Sequence, residues 1–227
     1  MKKNTKFHCM LALLLSSKSF ASDIESHNNF YIGFDIGVIK SDANMSSNDK
    51  SAMGTALNNI KDGVNNPFYN DLKLGYLYNE NVRFYAFWRE LSKDSAHSRI
   101  LTSSMVQTGL VDVEYSSRVI GLGLDYLKDI NQNLYWTIGG NIGRFTSNIE
   151  IDSSYIIKDK TNVKSDGISI GLNTSIGYKI NKNWAIESGV GYMYYNGNEA
   201  NFENNTKIIT FKNKNNYSAF AGVKYSF

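Results

Sequence analysis

The sequence contains very little cysteine and proline and no long hydrophobic run. A single cysteine and a single proline occur in 227 residues, so the chain cannot form an internal disulfide. No stretch of about 18 apolar residues occurs, and this excludes a helical membrane protein. Because proline interrupts strand pairing, its scarcity favours long, continuous β-strands.

The amino terminus is predicted to be a secretory signal peptide. Three lysines within the first six residues precede a short apolar run at residues 10–15, and a small-x-small pattern ends at Ala21. The run is far shorter than the roughly 20 residues of a membrane-spanning helix. We therefore expect residues 1–21 to be removed and residues 22–227 to form the mature domain. Cys9 lies in the signal and lacks a lipoprotein context, so thiol catalysis and cysteine metal sites are excluded.

The net charge also depends on this processing. The full chain has 24 basic and 21 acidic residues, and removal of four lysines in the signal leaves 20 basic residues and a net charge of −1. The basic balance therefore belongs to the targeting segment, and no charge-based argument for nucleic-acid binding remains.

Apolar and polar residues alternate with a period of two in eight segments, which predicts one all-β domain. The segments are residues 29–39, 67–78, 82–93, 113–126, 133–147, 166–180, 184–196 and 214–227. The fourth segment alternates cleanly only from Ile120 to Tyr126. Upstream, Val113 and Tyr115 fall on the opposite parity, which predicts a bulge or a loop boundary near Ser117.

Short and long connections alternate along the chain. The short ones are residues 79–81, 127–132 and 181–183, and the long ones are expected to be loops of roughly 17 to 27 residues, which is uncommon in compact soluble domains. Short turns at one end and long loops at the other are typical of a transmembrane β-barrel.

Aromatic residues concentrate at both ends of the predicted strands, as in the two interfacial girdles of a membrane barrel. The predicted girdle residues are Tyr76, Tyr78, Trp88, Trp136, Trp184, Tyr192 and Tyr194. A soluble barrel has the same alternation and remains the alternative.

The opposite face carries charges of both signs, which are costly in lipid and are therefore expected to point inward. The predicted lumen charges are Asp35, Asp71, Lys73, Arg83, Arg89, Asp125, Lys179, Glu187 and Lys224. Because side chains can fill an eight-stranded barrel, we expect a salt-bridged plug. A narrow proton or ion path is the alternative.

The signal, the eight segments, the connections and the end Tyr225-Ser226-Phe227 together resemble the small outer-membrane barrels typified by the opacity proteins, OmpX-like proteins and the OmpA membrane domain. The resemblance covers the whole mature chain but includes no internal motif. It implies an eight-stranded antiparallel up-and-down transmembrane β-barrel in a Gram-negative outer membrane. It also implies contact with outer-membrane lipid and lipopolysaccharide, and assembly by the barrel assembly machinery through Tyr225 and Phe227.

The long loops are expected to carry the function, because recognition residues concentrate on loops of a rigid scaffold. Met53, Leu57, Ile60 and Val64 in loop 1 have helical spacing, which predicts a short amphipathic helix. That helix would pack on the barrel rim or bind a host ligand. The leading prediction is a non-enzymatic surface protein for adhesion, host interaction or envelope integrity, and a narrow pore is the second.

A lipid A-modifying enzyme is the third prediction, and it requires a histidine base. Only His27 and His97 lie downstream of the signal, and His97 is followed two residues later by Arg99 where lipid-A deacylase barrels have serine. We therefore predict no catalytic, cofactor or metal site. Asp152, Asp159 and Asp166 are interpreted as solvated surface.

Overall fold

The computed structural model describes residues 29–47, 67–101, 107–153, 157–204 and 207–227, which form nine antiparallel strands. The strands are β1 (Phe30–Ser47), β2 (Phe68–Asn79), β3 (Val82–Leu101), β4 (Gln107–Asp129), β5 (Leu134–Ser153), β6 (Ile157–Lys179), β7 (Trp184–Asn196), β8 (Glu199–Asn204) and β9 (Lys207–Ser226). Within these residues no helix has the length and hydropathy needed to cross a bilayer.

The strands close into an eight-stranded barrel, which confirms the predicted fold. Each strand from β1 to β7 pairs with its neighbour in the chain, and β9 pairs with both β7 and β1. The short strand β8 pairs with the upper part of β9, above the β7–β9 ladder. β7 and β8 therefore share one position in the barrel and are separated by Gly197, whose φ of 87° favours glycine.

The strands are strongly tilted. A row of directly opposed residues that leaves β1 at Lys40 crosses every strand of the barrel and returns to β1 at Phe30, ten residues lower. Such a stagger is what closing a sheet into a narrow barrel requires. Residues that are directly opposed on neighbouring strands therefore lie at different heights along the barrel axis.

Three short turns close the lower end of the barrel with the same Asn-x-Asn motif. In each turn the side-chain oxygen of the first asparagine accepts the backbone N–H of the second, at 2.9 Å for Asn79 and Asn81, 3.0 Å for Asn131 and Asn133, and 2.9 Å for Asn181 and Asn183. Asparagine favours such turns because its side chain can replace a backbone acceptor.

The expectation of long, structureless loops is wrong for loops 2, 3 and 4. β3 and β4 continue upward as a hairpin to Leu101 and Gln107, β5 and β6 to Ser153 and Ile157, and β8 and β9 form a third hairpin. In loop 1, β1 continues to Ser47, whereas the predicted helix and its residues Met53, Leu57, Ile60 and Val64 lie outside the described residues.

A register shift does occur opposite Ser117, as predicted, but the extra residue lies on the partner strand. β4 is continuous, and the register shift lies on its partner β3, between Leu91 and Asp94. Val113 and Tyr115 have the same inward orientation as Val119. Apolar residues occupy the outward positions in the lower part of β4 and the inward positions in its upper part, because the surroundings of the strand change along its length.

The barrel consists of two zones along its axis. In the lower part, which we call the belt zone, large apolar side chains cover the outside of all eight barrel positions. In the extension above it, which we call the upper zone, apolar side chains lie inside. On β1 the boundary falls between Val38, which is outward and exposed, and Ile39, which is inward and buried. On β5 it falls between Ile142 and Phe145.

Candidate functional site

A continuous chain of six charged side chains fills the belt-zone lumen. Lys73 contacts Asp35 at 2.5 Å, and Lys224 lies between Asp35, at 3.7 Å, and Glu187, at 2.6 Å. Arg83 then joins Glu187, at 2.6 Å, to Asp125, at 2.7 Å. Three cations and three anions alternate, so each buried charge has an opposite neighbour, as burial in a low dielectric requires.

Neutral groups complete this chain. Tyr135 donates its hydroxyl to Glu187 at 2.7 Å, and Asn173 donates to Asp125 at 3.1 Å. These bonds occupy carboxylate lone pairs that the cations leave free, which is the condition for tolerating buried ion pairs.

A separate ion pair lies above this chain. Arg89 donates two hydrogen bonds to Asp71, at 2.8 and 2.7 Å, and its guanidinium lies 4.4 Å from the centroid of the Tyr69 ring. The bidentate geometry is the strongest form of an arginine–carboxylate contact.

Inward aromatic rings lie over glycines on the next strand. A Cβ atom on Gly75 would lie 2.2 Å from the Tyr31 ring, one on Gly123 2.2 Å from Tyr85, and one on Gly177 2.1 Å from Tyr135. Each of these glycines is the direct cross-strand partner of its tyrosine. Glycine is therefore required because the ring occupies the space of a side chain. Sequence reasoning missed these pairs, since they depend on strand register.

Side chains fill the middle of the described lumen, above a lower mouth of about 550 Å³ that reaches Arg83, Tyr135 and Lys224. A cavity of about 20 Å³ remains between Asp71, Arg89 and Asn141, and such a volume holds about one water molecule. The ion-pair contacts in the lumen favour the plug over the ion path, and the choice between the two stays a prediction.

An apolar core closes the upper zone from inside. Phe145 packs edge-on against Tyr195 with ring centroids 5.0 Å apart, and Tyr115 packs against Phe211 at 5.6 Å. Asn198, which follows the break after β7, donates to the Tyr115 hydroxyl at 3.2 Å. The contact between Tyr115 on β4 and Phe211 on β9 crosses the barrel, and that between Phe145 and Tyr195 joins β5 to β7 across β6.

The predicted girdle residues all face outward. Tyr76, Tyr78, Trp136 and Trp184 lie toward the short turns. Trp88, Tyr192 and Tyr194 lie toward the upper boundary. The rings of Trp184 and Tyr225 are 4.9 Å apart, and those of Tyr225 and Phe227 are 5.2 Å apart.

Charged residues begin directly above the outward apolar surface. Arg118 pairs with Glu90 at 3.2 Å and lies 5.2 Å from the Trp88 ring, and Arg144 pairs with Asp166 at 2.9 Å. Asp166 thus takes part in a surface ion pair. The change from aromatic to charged side chains marks the upper boundary of the belt zone.

The structure separates Lys179 from the other predicted lumen charges. Lys179 lies at the lower mouth and contacts the exposed Asp129 at 2.9 Å, because its position at the end of β6 falls below the packed lumen. His27 lies outside the described residues. The backbone of His97 is in β3 opposite Asp112, but its side chain is outside the described part. No metal-binding cluster of histidine, cysteine or acidic residues occurs among the residues the structure describes.

No protein-family model and no curated protein matches this sequence. Among solved structures, Neisserial surface protein A (NspA) is similar, with 20% identity, a TM-score of 0.50, and coverage of 89% of this chain and 100% of that chain. The outer membrane protease OmpT from Escherichia coli is 11% identical with a TM-score of 0.53, covering 91% of this chain and 99% of that chain. OprG from Pseudomonas aeruginosa is 14% identical with a TM-score of 0.48, covering 90% and 99%. The first two show that the chain has the fold of outer-membrane β-barrels.

Proposed function

We propose that this chain is a non-enzymatic protein of the Gram-negative outer membrane whose upper zone is a contact surface for adhesion, host interaction or envelope integrity. The observation that carries this proposal is the length and construction of the upper zone. β4 continues 13 residues past Ile120, from Val119 to Gln107, which is about 40 Å along the strand at roughly 3.3 Å per residue. Where its side chains are described, β4 is packed inside at Val113 and Tyr115, and its backbone continues to a hairpin end well away from the belt.

The packed lumen supports a scaffold more than a channel. The lower mouth of about 550 Å³ ends at Arg83 and Lys224. Above it, six charges in alternating contact and a cavity of about 20 Å³ leave no wide path for solutes through the described lumen. A pore would have to break buried ion pairs, each of which is costly to separate. Planar-bilayer recordings from refolded protein test this point, because discrete channel events would favour the pore.

The membrane topology can be tested with single cysteines, because we expect Cys9 to be removed with residues 1–21. Thr146→Cys lies outward in the upper zone and Gln132→Cys lies in the turn below the same strand. On intact cells a membrane-impermeant maleimide is expected to label only Thr146→Cys, and after permeabilisation both. Equal labelling of intact cells at both positions would contradict the proposed orientation. An intact-mass measurement of the purified protein tests the cleavage after Ala21.

The contact function can be tested by shortening one hairpin without disturbing the barrel. Arg99 and Leu110 are backbone partners, so replacing residues 100–109 with Asn-Gly closes the β3–β4 hairpin with a favoured two-residue turn. A matched variant replaces residues 152–160 between the partners Ile151 and Thr161. We expect bacteria that express either variant to attach less to cultured epithelial monolayers, with an unchanged amount of the protein on the bacterial surface. Unaltered attachment in both variants would count against adhesion through these hairpins.

The boundary charges are where we expect contact with outer-leaflet glycolipid such as lipopolysaccharide. Arg118 and Arg144 lie directly above the apolar surface, at the level where anionic head groups meet basic side chains. This contact would anchor the barrel at a fixed depth, with the upper zone outside.

A further inference from the structure

An open apolar groove crosses the outer face of the barrel in the lower part of the belt zone. Its volume is about 580 Å³, within the range of small-molecule sites. It crosses four neighbouring strands, with walls formed by Phe34 and Ile36 of β1, Ile176 and Tyr178 of β6, Ile186 of β7 and Val223 of β9.

Two small residues produce this groove. Ser188 and Ala221 are directly opposed on β7 and β9, and they form the floor between larger neighbours. The Ser188 hydroxyl donates to the backbone oxygen of Phe220 at 3.1 Å, so its polarity is satisfied inside the sheet. The bottom of the groove is therefore formed by short side chains, and the hydroxyl of Ser188 leaves no unpaired polar group there.

A basic turn lies below this groove, and the Lys182 side chain that it carries also borders the lower mouth of the barrel. The walls on β6 and β7 meet at the turn that carries Lys182. The three lower turns have the same Asn-x-Asn geometry, but their central residues are Glu80, Gln132 and Lys182. Of the three, only the turn below the groove is basic at this position. Lys182 makes no ion pair among the described residues, whereas nearby Lys179 is neutralised by Asp129.

Interfacial aromatics flank the same end of the groove. Tyr178 forms its lower wall, and the Trp184–Tyr225 pair lies beside it. Amphipathic rings at this position fit the level of lipid head groups. From the middle of the belt zone downward, the apolar groove is followed by the aromatic rim and then by Lys182. A phospholipid has the matching order of acyl chain, glycerol region and phosphate.

We propose that this face binds one anionic phospholipid of the periplasmic leaflet, with an acyl chain in the groove and the phosphate beside Lys182. The proposal rests on the outer-membrane location proposed above. The lower position of the groove, next to the short turns, assigns the lipid to the periplasmic leaflet. Apolar burial supplies affinity for any lipid, whereas Lys182 supplies the preference for negative charge, at about fivefold for one charge near the surface.

Native mass spectrometry of the refolded mature protein with phosphatidylglycerol or phosphatidylcholine tests the head group. We expect wild type to retain phosphatidylglycerol about fivefold more tightly, and Lys182→Gln to lose this preference. Adding Gln132→Lys to Lys182→Gln restores the net charge at a turn that does not join the walls of this groove. Because the groove is required, this double variant should not regain the preference.

Filling the groove tests the acyl chain. Ala221→Leu is expected to weaken both lipids about tenfold, because it displaces buried methylene groups. Ala86→Leu adds the same volume to the outward face of β3 and should leave binding unchanged.

Three results would overturn the proposal. They are equal retention of the two lipids by wild type, recovery of the preference through Gln132→Lys, and equal effects of the two leucine variants. Heat-modifiable migration of vesicle-reconstituted protein is measured in parallel. If the protein inserts but shows no lipid preference, the lipid site fails while the membrane proposal stands. If it does not insert, the membrane proposal itself fails.

Discussion

The belt zone and the upper zone consist of the same strands in the same sheet, yet their inner and outer faces have opposite polarity. In the belt zone Leu122 and Ile142 face outward, and charges such as Asp125 face inward. In the upper zone Arg144 and Thr146 face outward, and Phe145 and Ile149 are buried. Along β4 and β5 the alternation of side chains does not change between the zones, so the medium outside the strand determines which face is apolar.

The two interiors are consequently stabilised by different interactions. The belt-zone lumen depends on opposite charges that must remain together, because a single buried charge is very costly. The upper-zone core depends on close packing, where loss of volume is the main penalty. Variants in the two zones should therefore differ in whether a second substitution restores stability.

The largest expected effect is the loss of one partner in a buried ion pair. Asp71→Leu leaves Arg89 without its bidentate partner and should lower the free energy of unfolding by about 3–5 kcal/mol. Because the pair is separate from the six-residue chain, Asp71→Leu/Arg89→Met should recover most of that loss. Urea unfolding in lipid vesicles, followed by tryptophan fluorescence, measures both. A double variant as unstable as the single one would contradict the charge explanation.

In the upper zone a similar loss should arise from a cavity. Phe145→Ala removes the ring that packs on Tyr195 and should cost about 3 kcal/mol in the same assay. Phe145→Leu retains most of the volume and should lose clearly less. If the two variants were equally destabilised, packing volume would not be what stabilises this core.

A lysine on the outer face should distinguish the zones directly. Leu122, whose side chain is 65% exposed, lies near the middle of the belt zone, and Leu122→Lys should cost about 2–3 kcal/mol in vesicles. Thr146→Lys, outward in the upper zone, should change stability by less than about 0.5 kcal/mol. Equal effects would mean that lipid does not cover the belt.

The smallest effect concerns the glycines under the lumen tyrosines. Gly123→Ala would place a Cβ atom 2.2 Å from the Tyr85 ring, and overpacking of this kind costs about 1–3 kcal/mol. Gly140→Ala provides the control, because its nearest neighbour would lie at 3.5 Å. Thermal unfolding in detergent is expected to separate the two variants, and equal stability would exclude a packing role for Gly123.

The sequence predicts the belt zone well because lipid imposes a strict apolar face over many residues. The eight strands and the inward charges follow from this alternation. The extensions of the strands above the belt are not predicted, and Val113 and Tyr115 are interpreted as a bulge or loop boundary near Ser117 because their parity is opposite to that of Ile120. Val113 and Tyr115 keep the parity of Val119, so the sequence does contain the pattern of one continuous strand. Recognising that pattern requires knowing that the lipid-covered surface ends near Ile120. Contacts such as Tyr31 over Gly75 depend on register, which a single sequence does not determine.

The repeated Asn-x-Asn turns carry a consequence for the order of the chain. The backbone N–H of Phe227 donates to the oxygen of Phe30 at 3.1 Å, so the ends of β9 and β1 are hydrogen-bonded neighbours at the edge where the three turns lie. A fourth Asn-x-Asn linker could join them there, and the chain could be opened at any of the other three turns. The geometry thus permits circular permutation of the four hairpins, whereas assembly through Tyr225 and Phe227 would require β9 to remain the last strand.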